Sequence, residues 1–133
     1  MMPTALPANR MIIVIDDDDP FLTMMQEILG SEGYTTVTGS VVGNALRVIR
    51  ENDPALVILD LVMQTQTAGL DVFREMRTEL ALAHTPVLFL TASAQFVSER
   101  GAEMRKQGAE VLAKPFNLAE LLSLIATLVG QRV

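Results

Sequence analysis

The run Leu56-Val57-Ile58-Leu59 constrains this chain more tightly than any other stretch of its sequence. It is aliphatic throughout, β-branched at its centre, introduced by Pro54 and closed by the carboxylate of Asp60. A run this short between turn-forming residues reads as a strand buried on both faces. Such strands belong to parallel sheets covered by helices. Ligand sites in those sheets lie just beyond the carboxyl ends of the strands. Asp60 is expected to be the first residue off that end. Alone, an Asp there does no more than start a turn.

It is not alone, because four further apolar runs alternate with helical spacing. Met11 to Ile15 stops at Asp16-Asp17-Asp18-Asp19-Pro20, where Asp18 or Asp19 can cap a helix and Pro20 suits its first position. Phe21, Met24, Met25, Ile28 and Leu29 follow at helical spacing, and Gly30 and Gly33 are expected to end that helix. Tyr34 to Thr38 reads as a strand, and Ala45, Leu46, Val48 and Ile49 mark a helix closed by Asp53-Pro54. After the central run, a polar loop leads to Gly69 and a helix bearing Leu70, Phe73, Met76 and Leu80. Pro86 introduces the strand Val87 to Leu90, which ends in Thr91-Ala92. A polar helix from about Gln95 to Gln107 is broken by Gly108. Val111 to Ala113 forms the last strand, ending in Lys114-Pro115, and a final helix runs from about Leu118 to Val129. Five strands alternating with five helices imply right-handed βαβ crossovers and a doubly wound α/β fold. The pattern alone leaves the strand order open.

A chain of 133 residues is one domain with room for a real core. Residues 1–10 are expected to form a flexible tail and 11–133 the domain. The net charge of −6 disfavours nucleic acid and anionic membranes as partners. The absence of cysteine excludes disulfides and thiolate metal sites. The longest stretch without Asp, Glu, Lys or Arg, from Leu80 to Ser98, carries His84, Pro86, Gln95 and several hydroxyls and is no membrane span. A cytoplasmic protein is expected. His84, the single histidine, is assigned no role.

The residues that follow the buried runs are Asp16 and Asp17, Asp60, Thr91 and Lys114. In a parallel sheet all of them share one edge. Three carboxylates gathered there repel by roughly 4 kcal/mol per pair at about 4 Å and an effective dielectric near 20. Such a cluster takes up protons or binds a cation. An all-oxygen ligand set favours a hard ion, Mg²⁺ before Ca²⁺. A metal there would neutralise an incoming phosphoryl group and hold it in line with a carboxylate nucleophile. Asp is a known covalent phosphate acceptor, and Lys114 and the Thr91 hydroxyl would bind phosphoryl oxygens. Each signal is weak singly, since an acidic turn usually caps a helix and Lys-Pro is common. Their conjunction at successive strand ends is strong.

With these motifs in place, the chain resembles the response-regulator receiver domain of two-component signalling. Ile13-Val14-Ile15-Asp16-Asp17-Asp18, Val57-Ile58-Leu59-Asp60-Leu61, Phe89-Leu90-Thr91-Ala92 and Lys114-Pro115-Phe116 carry the resemblance. It covers roughly Met11 to Val129. It implies a flavodoxin-like five-stranded parallel sheet of order 2-1-3-4-5 with helices on both faces. It implies that Asp60 accepts a phosphoryl group from a histidine kinase or a histidine phosphotransfer protein. Asp16, Asp17, Asp60 and the backbone carbonyl of Val62 would hold Mg²⁺, Thr91 would move towards the phosphoryl group, and Lys114 would pair with it. The four-Asp run permits a register one residue later; Asp16 and Asp17 are preferred because they directly follow the strand.

Three positions depart from the family pattern. Gln64 stands where a Pro is usual, and the loop to Gly69 is one residue longer. Val111 stands where Tyr or Phe is frequent, which questions a threonine–aromatic switch and leaves backbone shifts as the alternative route.

In the last helix, Leu118, Leu121, Leu122, Ile125, Leu128 and Val129 form an apolar core face. The other side presents Ala119, Ser123, Leu124, Ala126 and Thr127, with Glu120 the only charge from Leu118 to Val129. This helix belongs to the family's common output surface. Leu124, Ala119, Ser123 and Thr127 are therefore candidates for a partner or homodimer contact, against the alternative of a small neutral solvent face. No DNA-binding segment follows, which implies output through protein contacts or a domain outside this sequence.

Other functions fit less well. A phosphorylation-independent interaction module would not need the intact set of Asp16, Asp17, Asp60, Thr91 and Lys114. An aspartyl-phosphate phosphohydrolase would need a second acid just after the nucleophile, and Asp60-Leu61-Val62 lacks one. A flavodoxin-like cofactor binder would want a Gly- or hydroxyl-rich loop where this chain has four aspartates.

Overall fold

Five short strands, each five residues long, run side by side in one parallel sheet. The structure is a computed structural model and describes residues 9–40, 42–61 and 68–131. The strands are β1 (Met11–Ile15), β2 (Thr35–Gly39), β3 (Leu56–Asp60), β4 (Val87–Thr91) and β5 (Ala109–Ala113). The helices between and after them are α1 (Asp19–Ser31), α2 (Ala45–Asn52), α3 (Ala68–Thr78), α4 (Ala94–Lys106) and α5 (Leu118–Gln131). Single 3₁₀ turns cover Val42–Asn44 and Leu80–Leu82. The sheet order is β2-β1-β3-β4-β5, the flavodoxin-like arrangement.

Strand alternation sorts the apolar side chains into two cores. Ile13, Ile15, Val57, Leu59, Val87 and Phe89 face α2, α3 and α4, where Ile49, Val72, Phe73 and Met104 cover them. Phe73 and Phe89 meet edge to face, with ring centroids 5.3 Å apart. On the other face Ile12, Val14, Leu56, Ile58, Leu88 and Leu90 are covered by Leu22, Met25 and Leu29 of α1 and by Leu121, Ile125 and Leu128 of α5. β1, β3 and β4 are thus apolar on both sides, which is why their sequences are continuous rather than alternating.

Several boundaries differ from expectation, each for a local reason. Asp60 is the last residue of β3, paired with Leu90, not the first beyond it. β5 begins at Ala109, opposite Val87, two residues earlier than its apolar run suggests. α1 continues through Gly30 and is capped at Glu32; of the two glycines it is Gly33 that takes a left-handed φ, of 87°. Leu118, expected on the buried face of α5, is 47% exposed because it begins the helix beyond the edge of the core. Asn9 and Arg10, expected in the tail, are tied to the domain. The Asn9 amide donates to the Asp53 carbonyl (2.7 Å), and Arg10 donates to the carbonyls of Glu32 and Gly33 while its guanidinium lies 4.4 Å from the Tyr34 ring centroid.

At the amino-terminal end of the sheet, Arg77 of α3 donates to the carbonyls of Leu82 (3.2 Å), Gln107 (2.8 Å) and Gly108 (3.2 Å). Its guanidinium also lies 4.6 Å from the Phe73 ring centroid. Burial lowers its pKa, and the three carbonyls and the ring replace the water it gives up.

Candidate functional site

The carboxyl end of the sheet collects the residues singled out from the sequence. Asp16 leaves β1 with its N–H donating to the Gly39 carbonyl of β2 (3.1 Å), and it is 1% exposed. Its Oδ1 accepts the N–H of Asp18 (3.0 Å), and Oδ1 of Asp18 accepts the N–H of Phe21 (3.2 Å), capping α1. Asp19 is the first helical residue and Pro20 the second. This division of labour follows from position: Asp18 and Asp19 belong to the start of α1, and Asp16 and Asp17 remain for the site.

Asp16, Asp17 and Asp60 each offer a carboxylate oxygen within 4.8 Å of the others. Asp17 is exposed, Asp60 half-buried. The Lys114 ammonium lies 3.4 Å from Oδ2 of Asp16 and 3.8 Å from Oδ2 of Asp60. Both separations exceed the roughly 2.7–2.9 Å of a tight charge-assisted bond. Three carboxylates against one ammonium leave two negative charges over, the charge of one divalent cation. Octahedral Mg²⁺ holds oxygens at about 2.1 Å, so its ligands stand roughly 3–4 Å from one another. The three carboxylate oxygens, within 4.8 Å of one another, stand close to that spacing, and the all-oxygen donors suit a hard ion. Val62, the expected carbonyl ligand, lies outside the described residues, as does Gln64.

Thr91 ends β4, paired with Ala113, and its carbonyl accepts the backbone N–H of Lys114 (2.7 Å). The Lys114–Pro115 peptide bond is cis. Thr91 is 3% exposed, and its Oγ1 accepts the N–H of Ser93 (3.0 Å). Ser93 in turn caps α4 by accepting the N–H of Phe96 (3.0 Å). The Thr91 hydroxyl is therefore wired to the start of α4. Sequence reasoning missed Ser93, although a Ser three residues ahead of an apolar helical position is a capping signal. Val111 is buried opposite Phe89, inside the core of its face.

Sequence reasoning also missed a groove. About 400 Å³ in volume, it lies beside the acidic cluster and is lined by Phe21, Met24, Ile28, Phe116 and Leu118, with Lys114 at its end. Met24 is 41% exposed, so the helical spacing of α1 includes one outward apolar residue that periodicity alone assigns to the core. On α5, Ala119, Ser123 and Thr127 are exposed and Leu124 is half-buried beside a cleft bounded by Arg105, Glu110 and Glu120.

An acidic pocket with a lysine beside it, at the carboxyl end of a five-stranded parallel sheet, is the class of site that this strand-end geometry defines. The family model described as response regulator receiver domain matches residues 12–126. The chain belongs to the response regulator receiver domain family. It is 31% identical over 121 residues to Protein PetR of Rhodobacter capsulatus, covering 91% of this chain and 48% of that protein. It is 24% identical to the polar-differentiation response regulator DivK of Brucella ovis, over 92% of this chain and 98% of that one. It superposes on the receiver domain of Francisella response regulator 1452 with a TM-score of 0.80 and 25% identity, covering 92% and 98% of the two chains. The chain spans about half the length of the first curated relatives it matches. Among the described residues, no helix is long and apolar enough to cross a membrane.

Proposed function

We propose that this receiver domain is a magnesium-dependent phosphoacceptor switch of the cytoplasm, charged at Asp60 by a histidine kinase or histidine phosphotransfer protein. The observation that carries this reading is the convergence of Asp16, Asp17 and Asp60 on one another with Lys114 beside them. Asp16, Asp17 and Asp60, with the Val62 carbonyl, would hold Mg²⁺. The ion would supply charge neutralisation for the transferred group. An Asp60 carboxylate oxygen attacks the phosphorus of a phosphohistidine, the P–N bond breaks, and the imidazole leaves with its electron pair and takes a proton from solvent. Lys114, already between Asp16 and Asp60, pairs with the phosphoryl oxygens.

The apolar groove along α1 suits the donor protein, because Lys114 belongs to both groove and acidic cluster and a partner seated there faces Asp60. Output is read through protein contacts. The Thr91 hydroxyl, turning to a phosphoryl oxygen, releases the Ser93 N–H and with it the start of α4. The exposed side of α5, with Ala119, Ser123, Leu124 and Thr127, is the partner or homodimer surface. Driving such a switch from 1:99 to 99:1 requires about 5.5 kcal/mol of differential stabilisation.

Intact mass after incubation with acetyl phosphate tests the reading, with Mg²⁺ or with EDTA, on wild type and Asp60→Asn. A magnesium-dependent gain of one phosphoryl group, lost in Asp60→Asn, is expected. If wild type gains nothing from acetyl phosphate or from a panel of autophosphorylated kinases, the switch reading falls.

A further inference from the structure

Four residues close a ring of contacts at the mouth of the site. Asp16 accepts from the Asp18 backbone, Asp18 accepts from the Phe21 backbone, the Phe21 ring faces the Lys114 ammonium with its centroid 4.6 Å away, and that ammonium returns to Asp16 at 3.4 Å. Three of these residues have evident work as cluster member, helix cap and cation. Phe21 packs half-buried at the margin of the core beside Leu22, Met25 and Leu29, which leaves its contact with the Lys114 ammonium to be explained.

We propose that Phe21 is a positioning residue for phosphoryl transfer, holding the Lys114 ammonium against the acidic cluster through its ring face. The inference rests on the phosphoacceptor reading above and adds to it a residue outside the reacting groups. A lysine side chain has four rotatable bonds and loses much rotamer freedom when fixed. Its carboxylate partners stand at 3.4 and 3.8 Å, too far to fix it by hydrogen bonding alone. An aromatic face within about 6 Å of an ammonium adds attraction without adding a competing anion. The ring is itself held, because Phe21 is half-buried and packs against the core on that face of the sheet, while its backbone N–H is bonded to the cap that Asp16 supports. Phe21 also forms a wall of the groove along α1, so a protein seated there touches the same ring that seats Lys114.

Lys106 and Lys114 are the two lysines of the chain, so their ε-methylene resonances in lysine-labelled protein are assigned with Lys106→Arg. In metal-free protein the Lys114 ε-methylene is expected upfield, under the ring. Phe21→Leu should move it downfield and leave Lys106 in place, and Phe21→Tyr should keep it upfield. With Mg²⁺ and saturating acetyl phosphate, Phe21→Leu should take up the phosphoryl group about two- to five-fold more slowly. Phe21→Tyr should restore the rate, and the donor concentration for half-saturation should change little. A Lys114 resonance indifferent to Phe21→Leu, or a Phe21→Leu rate equal to wild type, overturns the inference. If wild type takes up no phosphoryl group, the phosphoacceptor reading is what fails, and the lysine resonances alone decide whether Phe21 holds Lys114.

Discussion

Gly69, in the first turn of α3, is seated on the backbone carbonyl of Asp60. Its N–H donates to the Leu61 carbonyl (3.3 Å), and a Cβ in its place would overlap the Asp60 oxygen and come within 3.0 Å of Leu61 Cα. The obstacle is backbone on both sides, so no side chain can turn aside. Gly69→Ala is expected to cost about 1–3 kcal/mol, read as a lowered urea midpoint at unchanged m. An unchanged midpoint would show that α3 can lift from the strand end at no cost.

The acidic cluster makes a paired expectation. Metal-free protein should be stabilised by Asp17→Asn, which removes one of three mutually repelling carboxylates. Wild type should instead gain stability with Mg²⁺, by about 2.7 kcal/mol at a hundredfold excess over the dissociation constant. Thermal melts with and without Mg²⁺ separate the two effects. A wild-type melting temperature indifferent to Mg²⁺ would argue against a divalent ion at this cluster.

Thr91→Ala removes the acceptor of the Ser93 N–H. A neutral hydrogen bond is worth about 0.5–1.5 kcal/mol net. Hydrogen exchange at Ser93 should therefore accelerate roughly two- to ten-fold, with the α5 amides unaffected, and Thr91→Ser should restore protection. Unaltered exchange at Ser93 would sever the proposed link from Thr91 to α4.

Arg50 and Glu79 form a two-point pair at 2.7 and 2.8 Å between α2 and the residue that follows α3. The hydrogen bond from Arg50 holds the Glu79 carboxyl below its ordinary range. A carboxylate whose folded pKa is depressed contributes stability above its unfolded pKa, about 4.3, and loses that contribution as pH falls through the folded value. Glu79→Gln should accordingly melt below wild type at neutral pH, by a small margin because the pair is solvent-facing, and the two curves should converge in acid. A margin that persists unchanged at low pH would assign the effect to something other than this ionisation.

Leu124→Glu places a charge on the sparsely charged side of α5. If that side is the output surface, self-association or partner capture measured with and without phosphorylation should weaken in the variant. Sedimentation profiles identical to wild type in both states would leave α5 as a solvent face.

The gathering of Asp16, Asp17, Asp60 and Lys114 at one edge is legible in the sequence because it is written at fixed points. Each buried run ends where a polar residue begins, and a parallel sheet brings those ends to one edge. Sheet order and the division of the four aspartates are less legible. The sequence prefers Asp16 and Asp17 for the site by their place after the strand but permits a register one residue later, and which of Asp18 and Asp19 caps α1 is settled only where the helix starts, with Asp18 as the cap. Leu118 and Met24 pass for core residues because helical periodicity marks a stripe without saying where the underlying sheet stops. Ser93 and Phe21 escape notice because their roles depend on contacts to Thr91 and Lys114 that only the folded edge creates.

The Arg77 contacts hold the Leu80–Leu82 turn that leads into β4 and the backbone just ahead of β5. β4, which ends in Thr91, and β5, which leads to Lys114, are thus anchored at the root and carry their polar residues at the tip, as cantilevers carry a load. Each spans roughly 17 Å, so a slight tilt near the root becomes greater travel at the tip. Whatever Thr91 and Lys114 bind bears on the tips, while the register of the sheet is held from the root.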